Sequence, residues 1–328
     1  MDTDDSSNGI SAYSDMCESM WWGTLGSVRP FPSFHPERDV SFLQQALEQK
    51  DVNTIVRILT NRSNAQRQSL VRAYKSFSQK ELDGGLKKVL SGDVQSLIMG
   101  LMMTPEQFEA HRLHKAMEGV GTDEEILLEV LCTRTPQQLS DITAAYNQEF
   151  KQDLETDLLS ETSGDFSKLI MALLKKGNGP AVVDQDLETF SEELKNKKPA
   201  AEIWINILTT RNPDHLKTVL SKLEIELDQT VDEALEGHFK GLLSGDLRKG
   251  LKTLVHSIQN KPMYLAQRIQ NMKVPLLQGV MVSHSEEDLL SIRVAYLQAT
   301  GTSLYTALQK QFKGELQQAL LAICRAED

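Results

Sequence analysis

Apolar residues recur at helical spacing along most of this 328-residue chain. One early example is a set of four residues that fall on a single helical face, Val40, Leu43, Ala46 and Leu47. Helix starts are also legible. Residues 104–107 read Thr-Pro-Glu-Gln, which combines an N-cap threonine, a first-turn proline and a capping-box glutamine. Sustained alternation of apolar and polar residues, the pattern of strands, is nearly absent. The sequence therefore predicts an all-α fold of short helices.

A segment of about seventy residues recurs four times along the chain. Each copy has a first marker, a basic residue that closes an apolar run, and a second marker, a glycine followed by an acid. The first markers are Arg62, Arg134, Arg211 and His284, and the second are Gly92, Gly164, Gly245 and Gly314. The markers are separated by 30, 30, 34 and 30 residues. Such shared offsets predict one supersecondary unit used four times, with neighbours stacking to share a core.

These offsets divide the chain into a tail and four repeats. The tail covers residues 1–33, and the repeats cover 34–103, 104–176, 184–260 and 261–328. The stretch rich in glycine after Lys176 indicates a linker, which we place at 177–183.

Composition narrows the class of protein. An apolar content of 40% with 25% charged residues is ordinary for a soluble globular protein. No stretch approaches the 18 or so apolar residues that a membrane-spanning helix needs. The acidic start of the chain lacks the pattern of a secretory signal. Three cysteines, an odd number, favour reduced thiols in a reducing compartment. We therefore expect a cytoplasmic protein.

The net charge of −11 restricts the partners of this chain. A protein this acidic is repelled by nucleic acid and by anionic lipid unless a cation or a local basic patch intervenes. We expect no nucleic-acid partner. Any membrane role needs a bridge, and this points the search to calcium.

The second repeat contains a candidate calcium site. Residues 117–123 read Met-Glu-Gly-Val-Gly-Thr-Asp between two helical segments, and Glu161 follows 40 residues after Gly121. Calcium prefers six to eight oxygen ligands, many of them uncharged. A glycine-rich loop can turn several backbone carbonyls inward, and one carboxylate from a distant loop can cap the ion. Taken alone, Gly-Val-Gly is also a common helix-ending turn. The prediction depends on the loop, the glutamate and the repeat offsets together.

These motifs resemble the annexin family over roughly residues 34–328. The resemblance lies in the fourfold repeat, the Leu-Thr-Asn-Arg segment at 59–62, the loop at 119–123 and the closing run at 320–324. Residues 258–266 resemble the annexin-two-like branch, whereas 22–26 and 324–328 resemble the annexin-nine-like branch. The resemblance implies a curved disc of four repeats, each of about five helices. It also implies calcium loops on the convex face that bind anionic phospholipid, and a tail on the concave face.

Carried over position by position, the resemblance implies one intact calcium site. Its ligands are the carbonyls of Met117, Gly119 and Gly121 and the carboxylate of Glu161. The loops of the other repeats lack the glycines. The place of the acid is taken in those repeats by Val89, Leu242 and Gln311. We therefore predict Ca²⁺ as the cofactor, one site in the second repeat, and degenerate sites in repeats one, three and four.

Several neighbouring residues qualify this prediction. Glu118 stands where the family usually has a basic residue, and its charge opposes anionic lipid, unless it is simply a solvated loop residue. Val120 is expected to face the lipid. Four lysines are expected to attract anionic headgroups without calcium, or to form an ordinary solvated charge run: Lys195, Lys197, Lys198 and Lys273.

Two further alternatives concern partners. Apolar residues between Ile10 and Trp21 could form a short helix that docks a small EF-hand protein, or could pack or stay disordered. The predicted function is calcium-dependent peripheral binding to anionic, phosphatidylserine-like membranes. The alternative is a calcium-independent protein scaffold that has lost most membrane binding. No nucleophile–base pattern or phosphate-cradling loop suggests an enzyme.

Overall fold

A computed structural model describes residues 25–241 and 245–325 of the chain, and these residues form nineteen helices. The first repeat holds α1 (Pro36–Gln49), α2 (Val52–Leu59), α3 (Asn64–Ser78), α4 (Leu82–Val89) and α5 (Gly92–Met102). The second holds α6 (Pro105–Met117), α7 (Glu124–Thr133), α8 (Pro136–Phe150), α9 (Leu154–Glu161) and α10 (Gly164–Leu174). The third begins with α11 (Val183–Lys195), α12 (Ala201–Thr210), α13 (Pro213–Leu227) and α14 (Val231–His238). Next comes α15 (Gly245–Arg268), and the fourth repeat continues with α16 (Val274–His284), α17 (Leu289–Thr300), α18 (Leu304–Gln311) and α19 (Gly314–Cys324).

The helix α15 bridges two repeats across a sharp kink. At Asn260 the backbone leaves helical geometry, with φ −155° and ψ 81°. The Asn260 side chain then accepts a hydrogen bond from the Met263 amide at 3.0 Å and caps the second segment, which contains Pro262. Counted as two helices, α15 completes five in the third repeat and five in the fourth. The all-α prediction with about five helices per repeat is confirmed.

The first sequence marker ties helices together within a repeat. Three of its residues make ion pairs with an acid on the first helix of the same repeat. These are Arg62 with Asp39 at 2.6 Å, Arg134 with Glu109 at 2.8 Å, and Arg211 with Asp186 at 3.0 Å. In the fourth repeat the buried His284 pairs instead with Asp288 at 2.6 Å. The first marker is therefore a structural tie between helices, and it recurs because each repeat packs its helices in the same way.

The second marker marks the start of the last helix of a repeat. Three of its glycines adopt left-handed backbone angles, with φ of +58° at Gly92, +61° at Gly164 and +61° at Gly314. Side chains with a Cβ disfavour this region, so glycine recurs there. In the third repeat the left-handed glycine is Gly241, with φ +73°, four residues before Gly245. The third repeat therefore has a longer connection between its last two helices, which accounts for the offset of 34 residues.

The chain divides into two compact units. One contains residues 1–102 and 265–328, and the other contains residues 103–264. The core of the second unit includes the fully buried Trp204, whose ring stacks on Phe190 at 4.2 Å between centroids. The segment predicted as a linker, 177–183, lies within this unit, where Gly177 and Gly179 donate backbone hydrogen bonds to the end of α12.

In the first unit, the end of the predicted tail is seated on the fourth repeat. Leu25 and Glu287 share a backbone hydrogen bond of 3.0 Å, and Val28 donates to the Ser285 carbonyl at 2.9 Å. Between them, a Cβ on Gly26 would lie 2.4 Å from the backbone of Glu286. The backbone of this segment therefore approaches closely enough to require glycine. The earlier tail residues, 1–24, lie outside the described residues.

Two of the three cysteines lie in the described part of the chain. Cys132 and Cys324 are buried, and Cys17 lies outside the described residues. Burial raises the pKa of the Cys132 thiol to about 12. Among the described residues no helix combines the length and the apolar character needed to span a bilayer.

Candidate calcium site

The loop at 118–123 joins α6 to α7 and has a defined local geometry. Gly119 and Gly121 adopt left-handed angles, with φ of +98° and +87°. The Asp123 amide donates a hydrogen bond to the Ala116 carbonyl at 2.8 Å and closes the loop against α6. Asp123 also caps α7 through its side chain. The loop is therefore pinned at both ends, and its two glycines allow the backbone to fold between them.

Glu161 lies against this loop. It is the last residue of α9, and its Oε2 accepts a hydrogen bond of 2.7 Å from the hydroxyl of Thr122. Thr122 follows Gly121 directly, so the carboxylate contacts the loop one residue away from the predicted ligand Gly121. The structure thus brings together the loop and the acid that the sequence predicted 40 residues apart. Thr122, which positions the carboxylate, was not singled out by the sequence, although it lies inside the motif.

Two helix ends converge at this point. The helix α6 ends at Met117 and α9 ends at Glu161. The last carbonyls of a helix have no intrahelical partner, and the C-terminus carries about half a negative charge. Both effects favour a cation. The donor set of backbone carbonyls and one carboxylate contains only oxygen, which suits a hard cation such as calcium. The residues present therefore fit the ion that the motif implies.

Exposure at the site is high. Val120, at the tip of the loop, is fully exposed, and Glu118 is also exposed. Glu161 is exposed as well. An ion held here would be open to solvent and to a ligand from outside the protein.

The first and fourth repeats have no such arrangement at the corresponding places. The connection between α1 and α2 has only two residues, Lys50 and Asp51, and Asp51 is used to cap α2. The last residue of α4 is Val89 and that of α18 is Gln311, so neither offers a carboxylate.

In the third repeat the structure corrects the sequence alignment. Glu161 lies three residues before Gly164, and the same count back from Gly245 gives Leu242. The ends of the helices give a different counterpart. The helix α14 ends at His238 as α9 ends at Glu161, and the additional residues of the third repeat follow α14. His238 is therefore the counterpart of Glu161, while Leu242 lies outside the described residues. The assignment of Leu242 was wrong because the additional residues of the third repeat lie between His238 and the marker Gly245.

One group of His and acidic side chains among the described residues could also hold a metal. The ligand atoms of His284, Glu287 and Asp288 lie within 4.8 Å of one another. His284 is the first marker of the fourth repeat and forms an ion pair with Asp288. We interpret this group as the fourth repeat's version of the structural tie.

Comparison with known proteins gives one consistent result. A sequence model of the annexin family matches residues 38–101, 108–173 and 274–323. Human annexin A9 is 35% identical over 320 residues, covering 94% of this chain and 92% of that protein. Rat annexin A1 is 36% identical over 327 residues, covering 95% and 93%. The structure of annexin III matches with a TM-score of 0.88 and 33% identity, over 94% of this chain and 99% of that one. Chicken annexin V, solved in complex with Zn²⁺, matches with a TM-score of 0.83 and 34% identity, over 92% and 99%.

Repeats of five helices on this plan define the class of annexin-type all-α proteins. The chain belongs to the annexin family, which is known for calcium-dependent binding to phospholipid.

Proposed function

We propose that this annexin binds anionic, phosphatidylserine-like membranes peripherally, from the cytoplasm, through one calcium site in its second repeat. The observation that supports this most directly is the contact between the loop and the distant carboxylate, the hydrogen bond from Thr122 to Glu161. This contact supports a site in which the acid and the glycine-rich loop share one ion.

The ligand set would be the carbonyls of Met117, Gly119 and Gly121 with the carboxylate of Glu161. When bound, calcium would bridge these protein oxygens to a phosphate of the lipid. A site with a single carboxylate has low charge, and by analogy with low-charge modules its dissociation constant without lipid is roughly 10⁻⁴ M or weaker. Val120, fully exposed at the loop tip, would enter the interface beside the ion.

The decisive test is calcium-titrated cosedimentation with phosphatidylserine vesicles. Glu161→Gln removes the charge but keeps the shape and the hydrogen bond from Thr122. We expect this variant to lose calcium-dependent binding, because the only acidic ligand is gone. Glu118→Gln is the matched control, since it removes a carboxylate from the same loop outside the ligand set, and its binding should still depend on calcium. Unchanged binding by Glu161→Gln would favour the scaffold alternative.

We also propose that exposed lysines outside the calcium site contribute to membrane binding. Lys195, Lys197 and Lys198 are exposed at and after the end of α11, and Lys273 is exposed just before α16. Each lysine near an anionic surface contributes about 1 kcal/mol. They would act in chelator, where the calcium site is empty. Changing all four to glutamate should remove the residual vesicle binding, and no loss would remove these lysines from the proposal.

The tail partner remains a separate proposal. Residues 1–24 lie outside the described part of the chain, so the EF-hand hypothesis keeps its support from the sequence alone. A pull-down with a peptide of residues 8–26 that captures no EF-hand protein would end it.

A further inference from the structure

In the third repeat, the place corresponding to the calcium site holds a buried histidine–carboxylate pair. His238 Nε2 lies 2.9 Å from Glu193 Oε1, with side-chain exposures of 8% and 1%. His238 is the last residue of α14, the counterpart of Glu161. Glu193 lies in the last turn of α11, the counterpart of α6. The pair therefore joins the two helix ends that converge on the calcium site in the second repeat.

The same carboxylate also anchors the loop between α11 and α12. Glu193 Oε1 accepts a hydrogen bond of 2.7 Å from the amide of Ala200, the N-cap residue of α12. At the other end, the Asn196 amide donates to the Glu193 carbonyl at 2.9 Å. The Asn196 side chain accepts from the Lys198 amide at 3.0 Å. The loop is thus fixed at its start, its middle and its end by protein groups.

The last residue of the fourth helix differs between the two repeats. In the second repeat α9 ends in the acid Glu161, whereas α6 has His114 and Lys115 in its last turn. The acid adds to the negative terminus of α9 and favours a cation from outside. In the third repeat, α11 ends in Lys195 and α14 ends in His238. Basic side chains at these positions stabilise helix C-termini directly. A side-chain pair, His238 with Glu193, therefore occupies the place where, on our proposal, the second repeat holds a metal ion.

Because the pair is buried, other residues form the exposed surface of the loop between α11 and α12. Residues 195–198 are exposed without interruption, and three of the four are lysines, Lys195, Lys197 and Lys198. We propose that the Glu193–His238 pair replaces the calcium bridge of the second repeat. It holds this basic loop in a fixed conformation that binds anionic lipid headgroups without metal. This inference rests on the proposed function of the lysines and adds the groups that position them.

The first test uses the unaltered full-length protein and hydrogen exchange in chelator and in calcium. The Ala200 amide should be protected in chelator and unchanged by calcium, because a protein carboxylate already holds it. The loop at 118–123 should gain protection only when calcium and phosphatidylserine vesicles are present. A calcium-dependent gain at Ala200, or no protection there in chelator, would overturn the proposal.

The second test measures vesicle binding in chelator. Glu161→Gln serves as the background, so that the calcium site is silent. In this background Glu193→Gln and the double change Glu193→Gln with His238→Gln remove the charges while keeping similar shapes. We expect about a tenfold loss of affinity for phosphatidylserine vesicles, since two or more lysines lose their fixed position. The variants should show faster exchange at Ala200 with unchanged exchange in the core of α13. His256→Gln is the control, because His256 pairs with Asp232 in the same unit but is 41% exposed.

The outcomes separate this inference from the proposed function. In one outcome, the lysine-to-glutamate changes at 195, 197 and 198 abolish vesicle binding in chelator while the Glu193 and His238 variants do not. In that case the basic loop binds headgroups, and the role of the pair in positioning it is wrong. If the lysine changes have no effect, the headgroup site itself is wrong. Phosphatidylcholine vesicles should bind none of the proteins, and equal binding to them would also exclude an anionic headgroup site.

Discussion

Gly119 and Gly121 hold backbone angles that residues with a Cβ rarely adopt, with φ of +98° and +87°. A Cβ at either position would meet no atom within 4 Å, so any cost of substitution comes from the backbone conformation alone. That cost is about 1 kcal/mol for a residue forced into the left-handed region.

Gly121→Ala therefore should raise the calcium concentration for half-maximal vesicle binding about fivefold, because the loop must be forced into its ligand-binding shape. The control is Gly84→Ala, at an exposed place in α4 with open space and no left-handed angle. It should leave the calcium requirement unchanged. An equal shift in both variants would contradict the role of the loop conformation.

Glu118 carries a negative charge beside the proposed ligands. It is exposed in the calcium loop, close to the proposed ligands. A negative charge there repels an anionic surface, so Glu118→Lys should strengthen binding to phosphatidylserine vesicles several-fold at fixed calcium. The gain should shrink as salt rises, because exposed charges are screened. Binding that does not change with this substitution at low salt would indicate a solvated residue without a role.

At the residue scale, the sequence predicted the calcium loop and its acid because both lie at fixed offsets from strong markers. It did not predict Thr122 as the partner of Glu161, since a hydroxyl contact depends on side-chain direction. It also missed the pair of Glu193 with His238. The inserted residues after α14 displaced the alignment by four positions, from His238 to Leu242.

Individual elements depend on a few close contacts, and the segment before α1 is the clearest case. A Cβ on Gly26 would lie 2.4–2.6 Å from three backbone atoms of Glu286. Gly26→Ala should therefore lift this segment and break its backbone hydrogen bonds to the fourth repeat. The expected loss is about 2 kcal/mol of unfolding free energy, from two or three bonds at about 1 kcal/mol each. Chemical denaturation measures this loss of unfolding free energy, with Gly84→Ala as the control. A Gly26→Ala variant that is no less stable than the control would contradict the close approach.

The tie between α11 and α12 predicts a pH dependence. Asp186 is buried, and burial raises its pKa, but hydrogen bonds and charges from Arg211 and His215 outweigh burial and lower it overall. A carboxylate with a lowered folded-state pKa stabilises the fold at pH above its unfolded value, near 4. This contribution is lost as pH falls further.

Thermal melts of the parent and of Asp186→Asn between pH 6 and pH 3 test this tie. The parent should lose stability more steeply than the variant at the acidic end, because only the parent must protonate a paired carboxylate. Parallel curves would show that the tie contributes nothing to acid sensitivity. The same tie recurs in three repeats, which is why the first marker predicted a repeated helical unit. The acids on the first helix that pair with the marker were not predicted.

The molecule as a whole carries a net charge of −11 and, on our proposal, a single calcium site. Several loops engaging one surface gain avidity, and a protein with one loop forgoes most of it. We expect this annexin to need at least about tenfold more calcium than an annexin with four intact sites on the same vesicles. Parallel cosedimentation titrations measure this, and equal half-points would contradict a single-site mechanism.

The burial of the two cysteines in the described part of the chain has a practical consequence. Cys132 and Cys324 are 6% and 0% exposed, and the raised pKa of Cys132 keeps it in its unreactive protonated form. With Cys17 replaced by serine, a cysteine introduced in place of Val120 would be the accessible target for a maleimide fluorophore. A polarity-sensitive dye at that point would report, in real time, the moment at which the loop tip leaves water.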